Sequence, residues 1–100
     1  MKYKEIANNK EISAYLQKGN ANLGQLGFTD HSKAHCVQVA HQAGKILKRL
    51  GYSEHEIELA KIAGYMHDIG NAINRTHHAE YGALLANDLL KETDMSLEDR

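Results

Sequence analysis

The sequence contains no proline and only one cysteine in 100 residues. A single cysteine excludes an internal disulfide and fits a reducing compartment such as the cytoplasm. No run approaches the ~20 apolar residues of a membrane span. The opening Met1-Lys2-Tyr3-Lys4-Glu5-Ile6 has no apolar signal-peptide region. An excess of one charge sign is lacking too, because 12 basic and 13 acidic residues leave a net charge of -1. That balance provides no electrostatic footprint for nucleic acid or a membrane surface. There is no internal repeat and no low-complexity segment. The chain reads as one domain over residues 1–100, large enough for a modest core.

What is present is a 42% apolar content and seven histidines, with every periodic stretch at helical spacing. A short helical turn is expected at residues 3–8. Asn8 is the expected cap of the next helix, with Glu11 three residues on. Ile12, Tyr15 and Leu16 share one face of it, and Gly19 is its expected stop. Residues 20–28 read as a loop or frayed helix anchored by Leu23, Leu26 and Phe28. Thr29 or Asp30 caps a helix running to about Leu50, with a stripe of Cys36, Val39, Ala40, Ala43, Ile46, Leu47 and Leu50. Gly51 ends that helix. Ser53 and Glu56 form a capping-box pattern for the next. From Ile57 to Met66 this helix is apolar nearly all round, as expected of a central buried helix, and Gly70 is expected to close it. Residues 71–75 connect to a last helix that follows Thr76, reaches about Lys91 and turns Ala79, Gly82, Leu85, Ala86 and Leu89 inward. Ser96 with Asp99 opens a further helical pattern. The favoured reading of that end, residues 92–100, is the start of another helix in a longer domain.

The central run Ile62-Ala63-Gly64-Tyr65-Met66-His67-Asp68-Ile69-Gly70 is where chemistry is expected. Burying an imidazole beside a carboxylate is costly unless each finds a partner. Asp68, near a helix C-terminus, also faces the negative end of the helix dipole, unfavourable by ~0.3–1 kcal/mol. A bound cation removes both penalties. The plainer alternative is a histidine that caps carbonyls at the helix end.

Other histidines add to this. His35 lies beside the apolar stripe, and His31 sits one turn earlier on the same side, a His-x-x-x-His spacing that can hold a metal. The plainer reading leaves His31 exposed near the helix start. His78 is in register with Gly82, Leu85 and Leu89, so it should point inward, as a ligand, a phosphate contact or a local hydrogen-bonding group, while His77 points outward. His41 and His55 read as surface residues. Lys33 and Arg75 flank the run in sequence, and either could neutralise a phosphate. Cys36 belongs to the core stripe and is not proposed as a nucleophile.

His35-Cys36-Val37-Gln38-Val39-Ala40, then His67-Asp68-Ile69-Gly70, then His78-Ala79-Glu80-Tyr81-Gly82 together resemble the HD-domain superfamily of metal-dependent phosphohydrolases. The resemblance covers about residues 28–90, with the motif-bearing core at 29–91 behind an N-terminal helical extension, 1–28. It implies an all-α, HD-like helical bundle. It implies that His35, His67 and Asp68 bind a divalent metal, with His67 and Asp68 at the catalytic centre, and that His78 binds a second metal or the substrate phosphate. Lys33, Arg75 and His31 are the candidate substrate contacts. The implied activity is hydrolysis of a phosphate ester, a nucleotide or another small phosphorylated substrate. Imidazole and carboxylate ligands suit Mn, Fe, Co, Ni or Zn more than Ca, and Mg is the further candidate cofactor.

Two features depart from the family pattern. The family carries a further aspartate ligand on a later helix, whereas Asp94 and Asp99 follow the last helix closely. Asn71 stands where many relatives carry lysine. The alternative function is therefore a non-catalytic helical domain that binds metal or nucleotide or mediates an interaction. A homo-oligomer is expected, because the faces of the last two long helices lack a packing partner.

Overall fold

Five α-helices and one 3-10 turn make up the computed structural model, which describes residues 2–25, 33–74 and 76–100, the side chains of 23–25 excepted. In chain order they are α1 (Tyr3–Ala7), α2 (Lys10–Gln25), α3 (Lys33–Arg49), α4 (Glu54–Met66), the 3-10 turn (Ile69–Ala72) and α5 (His78–Lys91). No strand occurs among the described residues, and no helix is long and apolar enough to cross a membrane. The expected all-α bundle is what is found.

One core gathers residues from every helix: Ile6, Ile12, Leu16, Cys36, Ala40, Ile62, Tyr65, Met66, Ile69, Leu89, Leu90 and Met95. The pair α3 and α4 is the most extensive in the fold. It packs closely because Gly64 has no side chain. A Cβ there would lie 3.1 Å from Ala40 Cα. Ser53 caps α4 as its sequence pattern implies, with the hydroxyl accepting from the Glu56 amide at 3.2 Å. Such a cap is worth ~1 kcal/mol. At the other end of the core Tyr3 meets Tyr65 edge to face, with centroids 5.7 Å apart.

The structure corrects several expectations. Asn9 rather than Asn8 caps α2, its Oδ1 accepting from the Ile12 amide at 3.0 Å. The two asparagines are adjacent, and only the second can reach three residues ahead to that amide. Gly19 does not stop α2, which continues to Gln25. The missing side chain instead admits the 3-10 turn, since a Cβ on Gly19 would lie 3.1 Å from Asn71 Cβ and 3.2 Å from Ala72 N. Asn22, one turn on, donates to the carbonyls of Asn71 at 3.0 Å and Ala72 at 3.4 Å. Residues 20–25 are thus helical, while Leu26, Phe28, Thr29 and Asp30 lie outside the described residues.

Gly70 does not close α4 either. That helix ends at Met66, with His67 as its C-cap, and Gly70 lies inside the 3-10 turn that follows. A Cβ on Gly70 would overlap the His78 carbonyl oxygen and come within 2.6 Å of Gly82 N. Both glycines are there for close backbone approach. The outer half of the α3 stripe is partly solvated: Ile46 and Leu50 are 56% and 67% exposed, because no described element covers those two side chains. Nor is α4 buried all round. Its Leu59, Ile62, Ala63 and Met66 line an open groove shared with Ala79, Ala83 and Ala86 of α5, because α5 rests chiefly on the 3-10 turn. Ala79, expected to face inward, is exposed on that groove. Ser96 opens a single helical turn, with its hydroxyl accepting from the Asp99 amide at 3.2 Å.

Candidate metal centre

Three chain segments converge on Asp68. It follows α4, and its carboxylate is buried, with 9% of the side chain exposed. His35 comes from α3, His67 from the cap of α4 and His78 from the first residue of α5. His35 Nε2 lies 3.8 Å and His67 Nε2 3.0 Å from Asp68 Oδ2. His78 Nε2 lies 3.6 Å from the other oxygen, Oδ1. The carboxylate is therefore divided, with two imidazoles on one oxygen and one on the other. The rings of His35 and His67 are 5.4 Å apart.

His35, His67 and Asp68 can hold a metal ion: one ligand atom from each lies within 4.8 Å of the others. His78 stands outside that group, and so do Asp94 and Asp99. Asp99 pairs instead with His55 at 3.0 Å, twelve residues or ~18 Å back along α4 from His67.

The fit to a cation rests on the donors themselves. His67 Nδ1 lies 2.7 Å from the Gly64 carbonyl oxygen. A carbonyl only accepts, so Nδ1 carries the proton and neutral His67 presents a lone pair at Nε2. That lone pair faces a carboxylate oxygen 3.0 Å away. Two acceptors at this distance repel unless a proton or cation lies between them. Backbone support of the far ring nitrogen is also how metal-binding histidines are commonly oriented. Reading the sequence missed Gly64 as this support. The signal was available, because the residue three before the end of a helix offers its carbonyl to the cap.

The remaining candidates are placed as follows. His31 and Arg75 lie outside the described residues. Lys33 is exposed and lines a cavity with Ser13, Leu16, Gln17, Asn20 and Tyr65 that none of the three cluster residues touches. Asn71, at the position where the family often has lysine, is buried at 2% exposure and anchors α2 through its carbonyl. His77 adopts a left-handed backbone, φ 59°. It holds its ring outward against Glu80 at 3.1 Å, while the next residue, His78, faces Asp68. His41 and His55 are exposed and Cys36 is buried, as expected.

The HD domain family matches residues 33–99. An uncharacterised protein of Methanocaldococcus jannaschii is 33% identical over 106 aligned residues, covering 91% of this chain and 41% of its own length. Ribonuclease Y of Bacillus pumilus is 44% identical over 71 residues, covering 64% of this chain and 13% of its own. The chain thus spans less than half the length of either relative. No solved structure matches significantly.

Proposed function

The chain belongs to the HD-domain family, and from that premise we propose that it is a metal-dependent phosphohydrolase acting on a small phosphate ester, with nucleotides the first class to test. The observation that supports this most is the convergence of His35, His67 and Asp68, whose ligand atoms lie within 4.8 Å of one another. In this reading His35 Nε2, His67 Nε2 and Asp68 Oδ2 hold a divalent ion. Such an ion supplies Lewis acidity, polarising a phosphoryl oxygen and lowering the pKa of water.

The protein's own groups position the rest. Gly64 fixes the His67 ring by accepting from Nδ1. Asp68 Oδ1 faces His78 and orients it at the edge of the centre, where its imidazole contacts a substrate phosphate or joins a second ion. His35, His67 and His78 are each about one third exposed, so an ester can reach the cluster without the fold opening. Lys33 is not assigned to this set, since it lines a separate cavity.

One relative is by name a ribonuclease, so the substrate panel includes ribonucleotide phosphodiesters beside nucleoside mono-, di- and triphosphates and 4-nitrophenyl phosphate. The purified protein is assayed with each of Mn, Co, Ni, Zn and Mg, with His67→Ala as blank. The proposal expects metal-stimulated release from at least one ester by the wild type and loss of ~100-fold or more in the variant. A wild type no faster than the blank across the whole panel overturns the enzyme reading and leaves a metal-binding module in its place.

A further inference from the structure

A second cavity, of about 300 Å³, is lined by Ser13, Leu16, Gln17 and Asn20 of α2, Lys33 at the start of α3 and Tyr65 of α4. Its position relative to the metal centre follows from helix geometry. Lys33 stands two residues before His35, and Tyr65 stands two residues before His67. Two residues turn a helix by ~200°. Each of α3 and α4 therefore sends one side chain to the metal cluster and another, on its opposite side, to this cavity.

The lining mixes polar and apolar groups, and its one charged residue among those described is Lys33. It offers hydroxyls from Ser13 and Tyr65, amides from Gln17 and Asn20, the Lys33 ammonium and an apolar wall from Leu16. No carboxylate is among the described lining residues. The deciding feature is Tyr65. It is fully buried, at 0% exposure, yet its hydroxyl oxygen has no hydrogen-bond partner among the described residues. Ser13, which also lines the cavity, is the polar side chain beside it. A buried hydroxyl without a partner is costly, and Tyr65 is one of the residues that line this cavity.

We propose that this cavity binds a small oxyanion, a phosphate or a small organic carboxylate, with Lys33 supplying the charge, Tyr65 donating from its buried hydroxyl and the α2 side chains completing the hydrogen bonds. The site is distinct from the metal centre and does not depend on the phosphohydrolase reading.

Isothermal titration calorimetry of the whole chain tests it, in EDTA so that no metal-held anion contributes, with sodium phosphate and sodium butyrate as probes at constant ionic strength. The expected result is saturable 1:1 binding of at least one probe. Lys33→Met weakens it by ~10-fold or more, as loss of a charged hydrogen bond implies, and Tyr65→Phe weakens it by ~3–10-fold, as loss of a neutral one implies. Tyr65→Phe removes one oxygen and keeps the ring, so its fold is preserved and is checked by circular dichroism. Binding of phosphate alone identifies a phosphoryl ligand, binding of butyrate alone an organic acid, and binding of both a charge-selective site. The proposal is overturned if neither probe binds the wild type up to ~10 mM, or if both variants bind as tightly as the wild type.

Discussion

Gly70 and His78 meet backbone to backbone: a Cβ on Gly70 would overlap the His78 carbonyl oxygen. This contact seats the first turn of α5 on the 3-10 turn and so delivers His78 to Asp68. Gly70→Ala must push the two segments apart. The expected cost is ~3 kcal/mol, the upper end of overpacking effects, read as a lowered midpoint in urea. Gly82→Ala is the control. Its Cβ would meet Gly70 N at 3.4 Å, an ordinary contact, and the expected loss is smaller. Equal losses in the two variants would show that the Gly70 contact is not special.

A second prediction concerns the clasp between α2 and the 3-10 turn. Asn22 donates to two backbone carbonyls there. Asn22→Leu keeps the bulk and removes the donors, and is expected to cost ~1–2 kcal/mol. Thermal unfolding checks it, and an unchanged midpoint would mean that water replaces the amide without loss.

Glu58 gives a pH dependence. Burial pushes its carboxyl up, but the Tyr3 amide, the Lys61 side chain and the charges of Lys61 and Lys2 outweigh burial and hold it below the usual glutamate range. The amide bond is 3.0 Å and the Lys61 contact 3.3 Å. A depressed native pKa means that the unfolded chain takes up a proton first. The ionised group thus adds stability above the unfolded value of ~4.3, and that stability fades as pH falls through the lowered native value. Glu58→Gln should therefore be less stable than the wild type at pH 7 by ~1 kcal/mol, and the gap should narrow as pH falls below the unfolded value of ~4.3 and through the lowered native one. Urea titrations of both proteins at a series of pH values give the comparison, and a gap constant with pH would contradict it.

Helix positions and the cluster of His35, His67 and Asp68 were legible in the sequence for different reasons. Ser53 announces α4 because capping is local chemistry between residues three apart. His35, His67 and Asp68 were legible through their resemblance to a known motif rather than from spacing alone. Glycine was ambiguous. Gly19 and Gly70 read as helix stops, but each is needed where another backbone passes close by, a tertiary fact with no local sign. The exposure of Ile46 and Leu50 was hidden for the same reason, since a stripe shows amphipathicity but not whether anything covers it. The division of Asp68 between its two oxygens and the orphan hydroxyl of Tyr65 are three-dimensional relations. In the sequence Tyr65 is one more member of an apolar run.

The central claim is that His35, His67 and Asp68 form one metal centre. Equilibrium dialysis against Mn, Co, Ni or Zn, followed by metal analysis, tests it most directly. The account predicts about one ion per wild-type chain for the preferred metal, as three protein ligands around one open-sided ion imply, and loss of that ion in both His35→Ala and Asp68→Asn. His41→Ala, on the exposed side of α3, should retain it. Uptake by His35→Ala and Asp68→Asn equal to that of the wild type would contradict the account.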